Sequence, residues 1–334
     1  MRVITLEEHI EFPDITAAIA QSSGQAPVPK LSEGMRHYMA TELPDPATMQ
    51  DVTGPRLAYM DAQGIAMQVL SFGNAQPQNL PVAQAIALCQ QANDDLAAVV
   101  AAHPDRFAAL AVLPVADPQA AAKELHRAVE EKGLRGVLLK GNFGGKLFDD
   151  PFFFPIFQAA SNLGVPVYFH PSFIPGEITS HYFASDQWSD VVTGILSSAG
   201  YGWHMDVGVQ VLRMVASGIF DKLPNLKLIS GHWGELVPLF LERLDDEFTP
   251  HAGLRKAFSD YYREHVWVTP SGMLTRPQLR FLLDEMGEDH LMMACDYPYK
   301  QPQNVQAFLA AGDLTPAQQE KFAFGNAEKL LHLK

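Results

Sequence analysis

Residues 165–171 read VPVYFHP, an apolar run that ends on a histidine. A parallel strand buried on both faces takes this form, because packed helices cover each side of the sheet. Working outward in both directions, the form recurs at 2–9 (RVITLEEH), 66–72 (AMQVLSF), 107–114 (FAALAVLP), 136–141 (GVLLKG), 227–232 (KLISGH), 265–271 (HVWVTPS) and 291–299 (LMMACDYPY). Helical periodicity fills the intervals at 82–102, 118–132, 205–220, 235–247, 277–286 and 316–331. Gly133, Gly164 and Gly287 fall where helices should stop. Eight such strands alternating with helices predict a closed (β/α)₈ TIM barrel, with a doubly wound open sheet as the rival. No G-x-G-x-x-G motif opens a helix. Gly141-Asn142-Phe143-Gly144-Gly145 has the wrong spacing for a phosphate loop and reads as a turn.

The 334 residues fit one barrel domain with two long connections, 11–55 after the first strand and 172–204 after the fifth. Connections of that length in a compact domain are usually lids or insertions. Hydrophobic residues make up 47% of the chain, enough for a large core, and no apolar stretch is long enough to cross a membrane. The net charge of −14 repels phosphate backbones and anionic lipid, so neither nucleic acid nor membrane is an expected partner. Two cysteines, Cys89 and Cys295, are too few for a disulfide framework and point to a reducing cytoplasm.

The polar groups fall at the strand ends. Glu7 and His9 end the first run, His170 the fifth, His232 the sixth and Asp296 the eighth. C-terminal strand ends converge at one mouth of a barrel, where active sites lie. Each residue alone has an ordinary explanation: a hydrogen-bonded core histidine, a Glu on backbone amides, an Asp capping a turn in Asp-Tyr-Pro. Together they do not, because ionisable groups rarely finish apolar strands without partners. Glu7, His9, His170 and Asp296 form a mixed nitrogen and oxygen donor set that suits one divalent ion, Zn²⁺ or Mn²⁺. His232 and Glu235 lie three apart in Gly-His-Trp-Gly-Glu, so Glu235 is placed to orient or charge the imidazole. A Glu favoured by a helix N-terminus is the plainer alternative.

These residues carry a resemblance. Glu7-x-His9, His170, Gly231-His232-x-Gly234-Glu235 and Asp296-Tyr297-Pro298 resemble the amidohydrolase superfamily, in its branch of aminocarboxymuconate-semialdehyde and hydroxybenzoate decarboxylases (γ-resorcylate, dihydroxybenzoate, 5-carboxyvanillate). Arg56-x-x-x-Met60-Asp61, Gly218-x-Phe220-Asp221-x-x-Pro224 and Gly325-Asn326-Ala327 extend the likeness over nearly the whole chain. It implies a single metal on Glu7, His9, His170 and Asp296, with His232 and Glu235 as an acid–base pair. It also implies that Arg56 and Arg243 bind carboxylate, Arg243 in the site of a neighbouring subunit, and that Tyr299 contacts substrate. Taken alone, Arg56 heads a helix and Arg243 lies among acidic residues, where a surface ion pair is ordinary.

The expected reaction is non-oxidative decarboxylation of an ortho-hydroxylated aromatic acid, with Asp296 protonating the ring. Phe173, Tyr182 and Trp188 of the second long connection would sandwich the ring. The expected assembly is a homodimer or homotetramer. The alternatives are a metal-dependent hydrolase or hydratase of a lactone or unsaturated acid, and a non-catalytic barrel acting as a binding module.

Overall fold

The computed structural model describes residues 1–22, 31–73 and 77–333. All eight expected strands form, each shorter than or equal to its apolar run or extended by a residue: β1 Ile4–Ile10, β2 Met67–Phe72, β3 Phe107–Ala109, β4 Val137–Lys140, β5 Val167–His170, β6 Leu228–Ser230, β7 Val266–Val268 and β8 Met293–Ala294. Every pairing is parallel, in two four-stranded sheets ordered β3-β2-β1-β8 and β4-β5-β6-β7. Single parallel bridges, Ala111 to Val137 and Val268 to Leu291, join the sheets at both edges. The strands therefore make a closed ring, the (β/α)₈ barrel.

Strand alternation sorts the apolar residues into two layers. Ile4, Leu6, Val69, Leu110, Leu138, Tyr168, Ile229, Met292 and Ala294 fill the inside of the ring. Leu70, Phe72, Leu139, Phe169, Leu228 and Val268 face outward, under the helices. Ala327, Leu330 and Leu331 of the last helix, Asn326–Leu331, join the interior layer. Asn326 Nδ2 donates there to the Leu291 carbonyl, so this helix floors the N-terminal end of the barrel. At the other end, the residues two beyond Val69, Leu138, Tyr168, Ile229 and Ala294 are Ser71, Lys140, His170, Gly231 and Asp296. The period of two thus aims a set of polar groups into the C-terminal mouth.

The helices follow the expected periodicity with breaks. Val82–Ala102 is continuous. The run at 118–132 becomes Pro118–His126 followed by a wide turn, Arg127–Glu131. The run at 205–220 becomes Gly202–Ala216 and Ile219–Lys222, divided at Gly218 with φ 67°. The helix expected over 235–247 does not form as one piece. Glu235 and Leu236 take left-handed φ of 52° and 69°, and the regular helix is only Leu241–Glu247.

The long connections carry structure of their own. The first holds helices Pro13–Gln21, Glu33–Glu42 and Pro46–Gln50, and its residues 23–30 lie outside the described residues. The second holds Asp190–Ser197, which packs against Glu33–Glu42. A Cβ at Gly194 would overlap Met35, so the glycine permits that close approach. Among the described residues no helix is long and apolar enough to cross a membrane.

Candidate metal centre

Leu6 faces the barrel interior, so strict alternation would turn Glu8 inward and leave Glu7 and His9 outside. The register of β1 against β2 slips by one residue between Thr5 and Glu8, and Glu7 sits in that bulge at φ 62°. One extra residue flips the rest of the strand, which brings both Glu7 and His9 to the mouth. Glu8 is sent to the outer side. Its carboxylate accepts from the Cys295 and Tyr297 amides and from Gln68 Nε2, tying β1 to β8 and β2.

Glu7, His9, His170 and Asp296 come together, each offering one donor atom within 4.8 Å of the others. His170 Nε2 lies 3.3 Å from Glu7 Oε1, and His9 Nε2 lies 3.3 Å from Asp296 Oδ1. His170 Nδ1 donates to the Pro171 carbonyl at 2.8 Å, which fixes its proton there and leaves the Nε2 lone pair facing inward. Ser71 Oγ pairs with His9 Nδ1 at 3.0 Å and orients that ring in the same sense. Burial, then the Lys140 charge, pushes both imidazoles well below their usual pKa, so both are neutral donors.

Two observations show that a cation fits here. Glu7 Oε1 and His9 Nε2 are buried with no hydrogen-bond partner. Burial also raises the pKa of Glu7 and of Asp296, the latter further through the repulsion of Glu7. Buried groups of this kind are costly without a compensating charge. A divalent ion held by these four residues would satisfy the orphaned atoms and neutralise both carboxylates, and the nitrogen and oxygen donors suit Mn²⁺ or Zn²⁺.

The surroundings are tightly built. Tyr168 Oη and Ser271 Oγ donate to Glu7 Oε2, which leaves Oε1 for the ion. Of the eight non-glycine residues with left-handed φ among the described residues, seven are Glu7, His232, Trp233, Glu235, Leu236, Ser271 and Asp296. Such conformations each cost on the order of 1–3 kcal/mol and persist where surrounding structure holds them for a function. Their concentration around one mouth marks the site independently of residue type.

His232 Nδ1 lies 2.7 Å from Glu235 Oε1, as the Gly-His-Trp-Gly-Glu spacing predicted. Sequence inspection missed a third member. His204 Nδ1 bonds the other oxygen, Glu235 Oε2, at 2.8 Å, and its ring centroid is 4.4 Å from that of His232. Burial pulls the His232 pKa down, but the Glu235, Glu7 and Asp296 carboxylates outweigh it and push it up to about 10. The helix bearing His204 reaches this loop through Gly208, where a Cβ would strike the Glu235 carbonyl.

A family model for amidohydrolases matches residues 12–333. The chain belongs to the amidohydrolase family. This amidohydrolase is 38% identical over 291 residues to Decarboxylase orsB of Emericella nidulans, covering 84% of this chain and 86% of that one. It is 30% identical over 342 residues to γ-resorcylate decarboxylase of a Rhizobium species, covering 99% and 98%. Among solved structures, 5-carboxyvanillate decarboxylase of Novosphingobium aromaticivorans, complexed with manganese and 4-hydroxy-3-methoxy-5-nitrobenzoic acid, superposes with a TM-score of 0.87 at 29% identity, covering 99% of this chain and 96% of that one.

The remaining expected contacts of this amidohydrolase divide. Tyr299 is at the mouth, its ring 5.4 Å from that of His9. Phe173 is half-buried against Trp203 at 6.1 Å. Arg56 does not present itself to a substrate. It is fully buried, with Nε on the Asp51 carbonyl, Nη1 on Gln68 and Nη2 on the His9 carbonyl, so it braces β1 from the outer side. Tyr182 and Trp188 also depart from expectation: they are 63% and 41% exposed, and the Trp188 indole donates to Phe183 and Thr193 within its own segment. Arg243 is on the surface, paired with Glu247 at 3.2 Å. Lys140, which sequence inspection passed over, is buried at the mouth. Burial lowers its ammonium to about 7 against the pull of Glu11, Asp296 and Glu7.

Proposed function

We propose that this chain is a metal-dependent decarboxylase of ortho-hydroxylated aromatic acids. The observation that carries this function is the inward convergence of Glu7, His9, His170 and Asp296 beside the His232–Glu235 pair, in a family whose relatives include γ-resorcylate decarboxylase. When bound, the divalent ion would supply a fixed positive charge that stabilises the phenolate and the electron density that builds up in the ring.

The chain's own residues do the rest. Asp296 delivers a proton to the ring carbon that bears the carboxyl group. The bond to the carboxylate then breaks, its electron pair returns to the ring, and CO₂ leaves. Glu235 holds His232 by Nδ1, leaving Nε2 to donate to the phenolic oxygen. Tyr299 and Phe173 exclude water from the ring. A screen of hydroxybenzoates with the manganese-loaded enzyme, following CO₂ release, tests this function; no release across the panel would end it.

In His232→Asn we expect kcat to fall by about 10²–10⁴, with KM within about threefold, because the imidazole acts on charge that develops during the reaction. Steady-state kinetics decides. An unchanged kcat with raised KM would make His232 a uniform binding group.

We also propose that the enzyme works as a homodimer, alone or within a homotetramer, in which Arg243 enters the mouth of the neighbouring copy. Leu239 and Phe240, just before the Arg243 helix, are 62% and 56% exposed, an apolar surface beside a cation. Mixing His232→Asn with Arg243→Ala subunits should restore about a quarter of wild-type activity, since one of the two sites in each hybrid is then intact. No recovery despite measured subunit exchange means that Arg243 stays on its own surface.

A further inference from the structure

We propose that Lys140 anchors the substrate's carboxylate, a role that rests on the decarboxylase function above. Its place follows from alternation along β4. Leu138 fills the barrel interior, so the side chain two residues on enters the mouth from the inner wall. Its partner across the ladder is the metal ligand His170. Gln78 Nε2 donates to the Lys140 carbonyl at 2.8 Å and fixes the backbone from which the side chain springs. The residue is 3% exposed. Glu11, Asp296 and Glu7 are the charges that act on its ammonium, and its own charge acts on His9 and His170. Lys140 and the donor His170 are thus neighbours at the same end of adjacent strands, and both are buried.

The other cations are committed elsewhere. Arg56 is spent beneath β1, Arg243 is outside, and Lys300, which acts on Asp296, is exposed. Glu235 holds His232, and Glu11, Asp296 and Glu7 are the carboxylates whose charges pull on Lys140. An incoming carboxylate that shares the Lys140 ammonium with Glu11 meets a desolvated cation beside the metal donors, which is a strong anchor in a water-poor cleft. A flexible ammonium also suits the step that follows. The carboxylate loses its charge as CO₂ forms, so a contact that binds the ground state must release easily.

The test separates acid from phenol. Calorimetric titration of the manganese-loaded protein uses 2,6-dihydroxybenzoate and resorcinol, the phenol left after its carboxyl group departs. We expect Lys140→Met to weaken the acid by about 10- to 100-fold and resorcinol by less than about threefold, with manganese content unchanged by elemental analysis. Lys140→Gln, which keeps a hydrogen-bond donor without charge, should follow Lys140→Met. In turnover, KM for the acid should rise more than kcat falls. Equal weakening of acid and phenol, unchanged acid binding, or a wild-type-like Lys140→Gln overturns the anchor. A wild type that releases CO₂ while Lys140→Met keeps acid affinity overturns the anchor alone. A wild type that binds no hydroxybenzoate overturns both the anchor and the function beneath it.

Discussion

In His170→Ala we expect manganese content to fall to background, and turnover to fall with it by at least about 10³-fold. Mutating the outer partners of a metal ligand costs about 10- to 100-fold in affinity or activity, and His170 is itself a donor, so its loss is larger. The imidazole is neutral, buried and oriented by the Pro171 carbonyl, so it gives up a lone pair without rearrangement. Alanine also leaves Glu7 Oε1 facing an empty space in place of the ring now 3.3 Å away. Elemental analysis beside kinetics reads the effect. Full metal content with normal turnover would make His170 a packing residue only.

Asp296→Asn separates binding from proton delivery. The amide keeps the shape and one oxygen donor, so we expect manganese to stay bound, with affinity reduced, and KM to change little. It has no carboxyl proton, so kcat should fall by about 10²–10⁴, the usual worth of a positioned general acid. Wild-type kcat in the manganese-loaded variant would remove Asp296 from the proton path.

The fold was legible because its strands are buried on both faces and announce themselves as apolar runs. Strand lengths were less so: β8 pairs regularly only over Met293–Ala294, although the apolar run starts at 291. The metal donors were legible as ionisable groups ending those runs. Glu7 and His9 end one run, but alternation alone would turn both away from the mouth, and only the bulge at Glu7 turns them inward. His204 escaped notice because its link to Glu235 spans 31 residues and comes from a helix, with no motif to flag it. Lys140 escaped because a lysine ending a strand looks like a solvated end until closure of the ring buries it. Arg56 misled for the opposite reason: a helix-heading arginine looks available, but Glu8 and Gln68 draw it under the sheet. Tyr182 and Trp188 show that aromatic content in a long connection does not tell which way its rings face.

The ring closes through one bridge at each of two seams, between β3 and β4 and between β7 and β8. Glu7, His9 and Asp296 belong to one half of the ring, and His170 to the other. Tyr168 and Ser271, which grip Glu7, also reach across from the second half. An ion held by these donors would tie the two halves together from within, beside the backbone hydrogen bonds that cross each seam at Ala111 and Val268. An ion at a hundred times its dissociation constant adds about 2.7 kcal/mol to the closed state. Its removal would take away that tie, so the amide protons of Ala111 and Val268 should exchange faster in the metal-free than in the manganese-loaded protein.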